Sequence, residues 1–172
     1  TLEAYAADPL EAVKEANAIL AAVDAESLLK LAETYPETPI FNITESSDSV
    51  RDHCFNQLFH VIPSEKMGKD AIAQYLEKNP DAKVEAHAWN DKFKKYAAGQ
   101  VNNRYFNAFS LPMDDVAFAG WMAVKIISDA VARTNGTDSA KTQLFLRDEL
   151  RIDGAKGTKM TFRPNGQLRQ IV

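Results

Sequence analysis

The chain is predicted to be an α/β domain: a mainly parallel sheet flanked by helices in three layers, closed by a C-terminal β-hairpin. Three observations predict it. Between residues 18 and 89, short apolar runs alternate with amphipathic helical windows. After Met113 comes a long amphipathic window, with Asp114 placed to cap its start and Asn135-Gly136 to stop it. Beyond Leu150 the hydrophobic period falls from about 3.6 to about 2 residues around Pro164-Asn165-Gly166, where glycine makes a positive φ cheap.

In chain order, Asp8-Pro9 opens a helix running to about residue 17, with proline at the first helical position. Residues 18–23 (AILAAV) suit a buried strand or a continuation of that helix. The fresh helix start at 24–27 favours the strand. A helix over 26–34 turns Leu28, Leu29, Leu31 and Ala32 inward and ends at Pro36. Residues 38–43 (TPIFNI) are apolar and β-branched and read as a buried strand, followed by the hydroxyl- and acid-rich loop 44–52. Residues 55–62 (FNQLFHVI) form a further strand or extended segment. Pro63-Ser64 starts a helix to about residue 78 whose inner face is Met67, Ala71, Ile72, Tyr75 and Leu76. Residues 83–89 (KVEAHAW) alternate like a strand, and 90–109 are mostly helical. The window from Asp114 buries Ala119, Trp121, Met122, Ala123, Ile126, Ile127, Ala130 and Val131, and a second helix spans 138–150. Strands over 159–162 and 168–172 complete the hairpin.

At 172 residues the chain suits one domain: a helical arm over 1–17, an α/β core over 18–89, helices over 90–150 and the hairpin over 151–172. Its 20 basic and 24 acidic residues leave a net charge of −4, with the basic residues read as scattered, which argues against a nucleic-acid surface. No apolar run reaches the roughly 18 residues of a membrane span. A start at Thr1 without Met fits a mature, processed or trimmed chain. Cys54 is the single cysteine, so neither an intramolecular disulfide nor a cysteine metal cage can form, and a buried small hydrophobe is expected there.

No dinucleotide fingerprint, phosphate loop, nucleophile elbow or metalloprotease helix is present, and glycines number only 7. His53, His60 and His87 match no metal-ligand spacing, and the loop 45–52 lacks the pattern of a calcium loop. Trp89 and Trp121 are expected in the core. Asn42-Ile43-Thr44 and Asn135-Gly136-Thr137 match the glycosylation sequon, a pattern common by chance. Thr44, Glu45, Ser46 and Ser47 put hydroxyls at a strand end, where a small polar ligand could be held, although such residues also cap turns.

Residues 38–76, TPIFNITESSDSVRDHCFNQLFHVIPSEKMGKDAIAQYL, resemble the first lobe of type I periplasmic solute-binding proteins of branched-chain amino-acid ABC transporters. The stretches FAGWMAVKIISDAVARTNG and RIDGAKGTKMTFRPNGQLRQIV resemble the end of the same family, and DHCFNQLFHVIPS with GQLRQIV looks most like the branch associated with PQQ-dependent alcohol dehydrogenase systems. The resemblance implies a non-enzymatic, periplasmic protein with no cofactor and no catalytic or metal residues. It carries ligand binding onto Thr44 and Ser46. The matching loop after the preceding strand falls near Ala25 and Glu26, without the serines that would hold an α-amino acid. Against the family pattern, the second-lobe α/β unit and the first strand-helix unit are missing, so a single reduced lobe with an open face is expected. That face would meet a protein partner of a PQQ-dependent alcohol or methanol oxidation system, either the dehydrogenase or its cytochrome. The alternative is a receptor for a small amino-acid-like solute, completed by a second copy of the chain.

Overall fold

Three parallel strands form the centre, β1 (Ile19–Ala21), β2 (Ile40–Asn42) and β3 (Leu58–His60), in the order β1-β2-β3. This computed structural model describes residues 16–136 and 138–172. The arm predicted over 1–17 therefore lies almost wholly outside the described residues. Ile19, Ile40 and Leu58 stand side by side across the sheet, as do Ala21, Asn42 and His60. All three strands fall inside the apolar runs expected to form them.

The two faces of the sheet are covered by helices. α1 (Ala25–Thr34) starts where Asp24 accepts a hydrogen bond from Ser27 N at 2.9 Å. It buries Leu28, Leu31 and Ala32 against Ile19, Ala21, Ile40 and Leu58. On the opposite face Phe41, Phe59 and Val61 pack with α4 (Asp115–Thr134), which buries Phe118, Ala119, Met122, Ala123, Ile126 and Ala130. Asp114 caps α4 through Ala117 N at 2.8 Å, and Asn135 ends it at φ 56°. Of the residues expected inward on α4, Val131 is instead exposed, and Trp121 is half-buried beneath the Lys125 ammonium at 5.1 Å. α5 (Ser139–Leu144), capped by Asp138, runs into a π-helical turn, Phe145–Glu149.

The C-terminal stretch is more than a hairpin. β4 (Ile152–Asp153) pairs antiparallel with β5 (Lys159–Met160), and the chain then turns at 163–167, where Gly166 N donates to Arg163 O and Arg163 N to Gln167 O, both at 2.9 Å. On its return it runs parallel to β3: His60 N donates to Gly166 O at 2.8 Å, and Leu168 N to His60 O at 2.9 Å. The edge of β3 is thereby covered. Lys156 holds the tail from below, donating to Gln170 Oε1 at 3.2 Å and Ile171 O at 2.6 Å, with its ammonium 4.8 Å from the Phe118 ring centroid. Burial, opposed by the Asp115 charge, pushes that amine down to about 8.

Four further expectations are corrected. Residues 83–89 do alternate in exposure, but the extended segment has no ladder partner among the described residues; only Ala88 and Trp89 reach the core. Alternation reports a half-covered extended chain, and pairing needs a strand edge that this segment does not reach. The helix expected over 90–109 begins only at Ala98 (α3, Ala98–Phe109), because Tyr96 and Ala97 are left-handed at φ 53° and 72°. The preceding loop is wrapped around Asn102, whose amide donates to the carbonyls of Asn90, Asp91 and Phe93. α2 (Glu65–Leu76) buries none of its residues, and Tyr75, expected inward, is exposed. Cys54 is exposed too, because it sits in the loop ahead of β3.

Candidate functional site

The site is built at the carboxyl ends of the strands, where β2 leads into loop 43–48 and then a 3-10 turn, Ser49–Arg51. Asn42, the last residue of β2, is completely buried. A chain leaving a buried strand end has backbone donors to satisfy, and the Asn42 side chain does this in an Asx geometry. Its Oδ1 accepts from Glu45 N at 2.9 Å and Thr44 N at 3.3 Å, while its Nδ2 donates to Glu45 O at 2.7 Å. The same Nδ2 lies 3.0 Å from His60 Nδ1. An amide NH₂ can only donate, so Nδ1 is the acceptor and the imidazole proton sits on Nε2. That Nε2 is buried and has no partner among the described residues. Burial, assisted by the Arg51 charge, drives the His60 pKa down to about 3, so the ring is neutral.

Arg51 ties three segments together. Its Nε donates to Gln167 Oε1 at 2.6 Å, Nη1 to Ser47 O at 2.7 Å and Glu45 O at 3.2 Å, and Nη2 to Ile62 O at 3.0 Å. Gln167 continues the network to His60 O and Ile62 O, each at 3.2 Å. Burial lowers Arg51 to about 10, opposed by Asp48 and Glu45, so it remains a cation at neutral pH. The loop also closes over the start of α2: Ser46 O accepts from Glu65 N, Asp48 Oδ1 from Lys66 N, and Ser64 Oγ from Met67 N. These bonds satisfy the first turn's donors, so that helix end is capped by protein rather than open to an anion. Replacing Arg51 by Lys keeps the charge but loses the planar fork, and the expected cost is about 2 kcal/mol. Urea denaturation checks it, with a midpoint unchanged from the parent as the contrary result.

Thr44 and Ser46 both lie half-buried on this loop. The Thr44 hydroxyl makes one long hydrogen bond, to Val23 O at 3.4 Å, and the Ser46 hydroxyl has no partner among the described residues. Neither lines the groove of about 500 Å³ beside the loop, which is walled by Asp48, Arg51, Ser64, Lys66, Gln167 and Gln170 among others. The three histidines are not brought together: His53 stacks on Phe55, His60 is in the sheet, and His87 contacts Asp115 and Glu85, which raise its pKa. No group of His, Cys, Asp or Glu that could hold a metal occurs among the described residues. The sequon at Asn42 cannot be used in the folded chain, since its amide is buried and bonded. Sequence reasoning missed Asn42, Arg51, His60 and Gln167. A polar residue inside each of two apolar runs was a signal for Asn42 and His60, whereas Arg51 and Gln167 meet across 116 positions without any.

No protein-family model and no curated protein matches the sequence. Among solved structures, the chain is similar to an ABC transporter substrate-binding protein from Desulfitobacterium hafniense, with a TM-score of 0.74 at 12% identity, covering 90% of this chain and 75% of that one. A structure of such a protein from the same organism in complex with Leu gives the same values. The leucine-binding protein LivK from Thermotoga maritima aligns with a TM-score of 0.67 at 12% identity, over 95% of this chain and 79% of that one. The chain has the fold of ABC transporter substrate-binding proteins.

Proposed function

We propose that this chain is a non-enzymatic binding protein of the periplasm that holds a small amino-acid-like solute at the loop beyond β2, with Thr44 and Ser46 as contacts. The observation that carries this reading is the loop itself. It leaves the carboxyl end of the middle strand of a parallel sheet, the place where open α/β sheets gather ligands. Asn42 and Arg51 hold it in one shape, and it still presents the unspent Ser46 hydroxyl. A preshaped loop loses little conformational freedom when it binds. The fold neighbour crystallised with Leu supports the same class of solute.

A thermal-shift series with amino acids, amides and short alcohols tests it. One solute should raise the melting temperature, equivalent to about 2.7 kcal/mol at a hundredfold excess over Kd. Ser46→Phe should remove that shift while leaving the ligand-free melting temperature near the parent value. A flat series, or an undiminished shift in Ser46→Phe, rejects the site.

A second reading makes the chain an accessory protein of a PQQ-dependent alcohol or methanol oxidation system. The two segments that resemble that branch, 52–64 and 166–172, run side by side, joined by the His60–Leu168 hydrogen bond and by Gln170 Nε2 to Val61 O at 2.6 Å. Surface plasmon resonance against a purified dehydrogenase and its cytochrome separates the two readings, and absence of binding to both rejects the second.

A further inference from the structure

The approach to α3 and the helix itself, residues 92–111, differ from the rest of the surface in two ways. The first is where the apolar side chains lie. α3 is anchored by its first half, where Ala98 and Asn102 are its buried residues, and Trp89 Nε1 donates to Asn102 Oδ1 at 2.6 Å. The second half overhangs. Phe106, Phe109 and Leu111 are 56%, 61% and 60% exposed, and Tyr96, ahead of the helix, is 60% exposed. Phe106 and Phe109 are neighbours at i,i+3 spacing, and Tyr105 packs on Phe109 with ring centroids 4.7 Å apart, so the rings form one patch. Isolated surface hydrophobics need no explanation, but a clustered aromatic patch marks an interaction site.

The second difference is charge. The segment holds four basic residues, Lys92, Lys94, Lys95 and Arg104, and no acidic one, so the remainder of the chain carries 16 basic against 24 acidic. All four are exposed, and none has an acidic partner among the described residues. Elsewhere, among the described residues, Lys66, Lys69 and Arg133 are paired with a carboxylate one helical turn away and other cations are not, so what sets this segment apart is that it holds no acidic residue. The segment thus carries four positive charges and no negative one, on a chain that is otherwise acidic.

We propose that residues 92–111 are a docking surface for a protein whose own surface sets acidic groups beside an apolar patch. Exposed aromatics and arginine are the side chains that dominate protein interfaces, and cations carried by the same segment select an acidic partner and speed its approach. An anionic lipid surface shares this chemistry but fits less well. Arg104 and Phe106 lie about 200° apart around the helix, and the lysines precede it, so cations and rings do not share one plane along α3. The proposal stands apart from the solute reading, since the loop beyond β2 takes no part in it.

The test uses the full chain and a fluorescein-labelled peptide of 14 residues in which Glu flanks Leu and Phe, with a second peptide carrying Lys in place of Glu. Anisotropy should report binding of the acidic peptide only, weakened by added salt. The pair Phe106→Ser and Phe109→Ser should weaken it about tenfold, and so should the pair Lys94→Glu and Lys95→Glu. These side chains are exposed, so circular dichroism and melting should match the parent. Equal binding of both peptides, no binding of the acidic one, or indifference to both variant pairs overturns the proposal. So does failure to bind the acidic peptide together with binding to phosphatidylglycerol vesicles, which would assign the surface to lipid.

Discussion

A Gly166→Ala chain is expected to lose on the order of 4 kcal/mol of stability, among the largest effects of any single substitution in the molecule. Gly166 sits at φ 78°, a conformation that costs a residue with a Cβ and costs glycine little. The space is closed as well. A Cβ there would fall inside the van der Waals shell of the Leu58 carbonyl oxygen, a backbone atom of β3 that cannot swing aside. Relief requires the C-terminal strand to move off the sheet. Gly166 O and Leu168 N would then release their hydrogen bonds to His60, and Gln167 would leave Arg51 with one donor fewer satisfied. The loss should appear as a lower urea midpoint at an unchanged denaturant slope. A destabilisation below about 1 kcal/mol would mean that this strand is not seated against β3.

Acid should unfold the chain through His60. The folded ring titrates near 3 and the unfolded ring near 6.5, so the unfolded state binds more protons across that window. Stability from this group is complete above about pH 6.5 and falls as pH drops toward 3, with a slope approaching 1.4 kcal/mol per pH unit at about 298 K. Burial is the main cause, and Arg51 is the charged neighbour that adds to it. Asn42, which meets the ring from β2, does not titrate, and neither does Gln167, which bonds the His60 carbonyl from the C-terminal strand. A second proton on Nδ1 would face the Asn42 Nδ2 donor. The amide would have to turn over and give up Thr44 N and Glu45 N, so the loop should loosen with the core. His60→Gln offers an acceptor without a titration, and its stability between pH 6.5 and 4 should be flatter than that of the parent. An equal slope in both chains would place the acid sensitivity elsewhere.

What could be read from the sequence was local. Asp24, Ser64, Asp114 and Asp138 cap helices where a short polar residue precedes an amphipathic window, and Asn135-Gly136 stops α4. The three central strands follow from apolar runs between those windows. Two of the misreadings share a cause: the deciding partner lies outside the window whose pattern was read. Residues 83–89 alternate but find no edge. Residues 90–97 have helical composition, yet Asn102 draws their carbonyls into a loop. The position of loop 44–48 was legible as a strand end carrying hydroxyls. The groups that shape it were not, since Arg51 reaches Gln167 only after the whole domain has closed.

The strand lying on β3 also bears on how the chain is made. Its contacts with β3 span more than a hundred residues, 107 in the case of Gln167 and His60. A ribosome adds residues in order at roughly 5–20 per second, so β3 is synthesised many seconds before the segment that shields it. Through that interval its flank is open to pairing with any extended chain nearby. Nascent copies should therefore depend on chaperones until residues 166–168 emerge, and the closing step should be slow, as is usual when distant parts of a chain must meet.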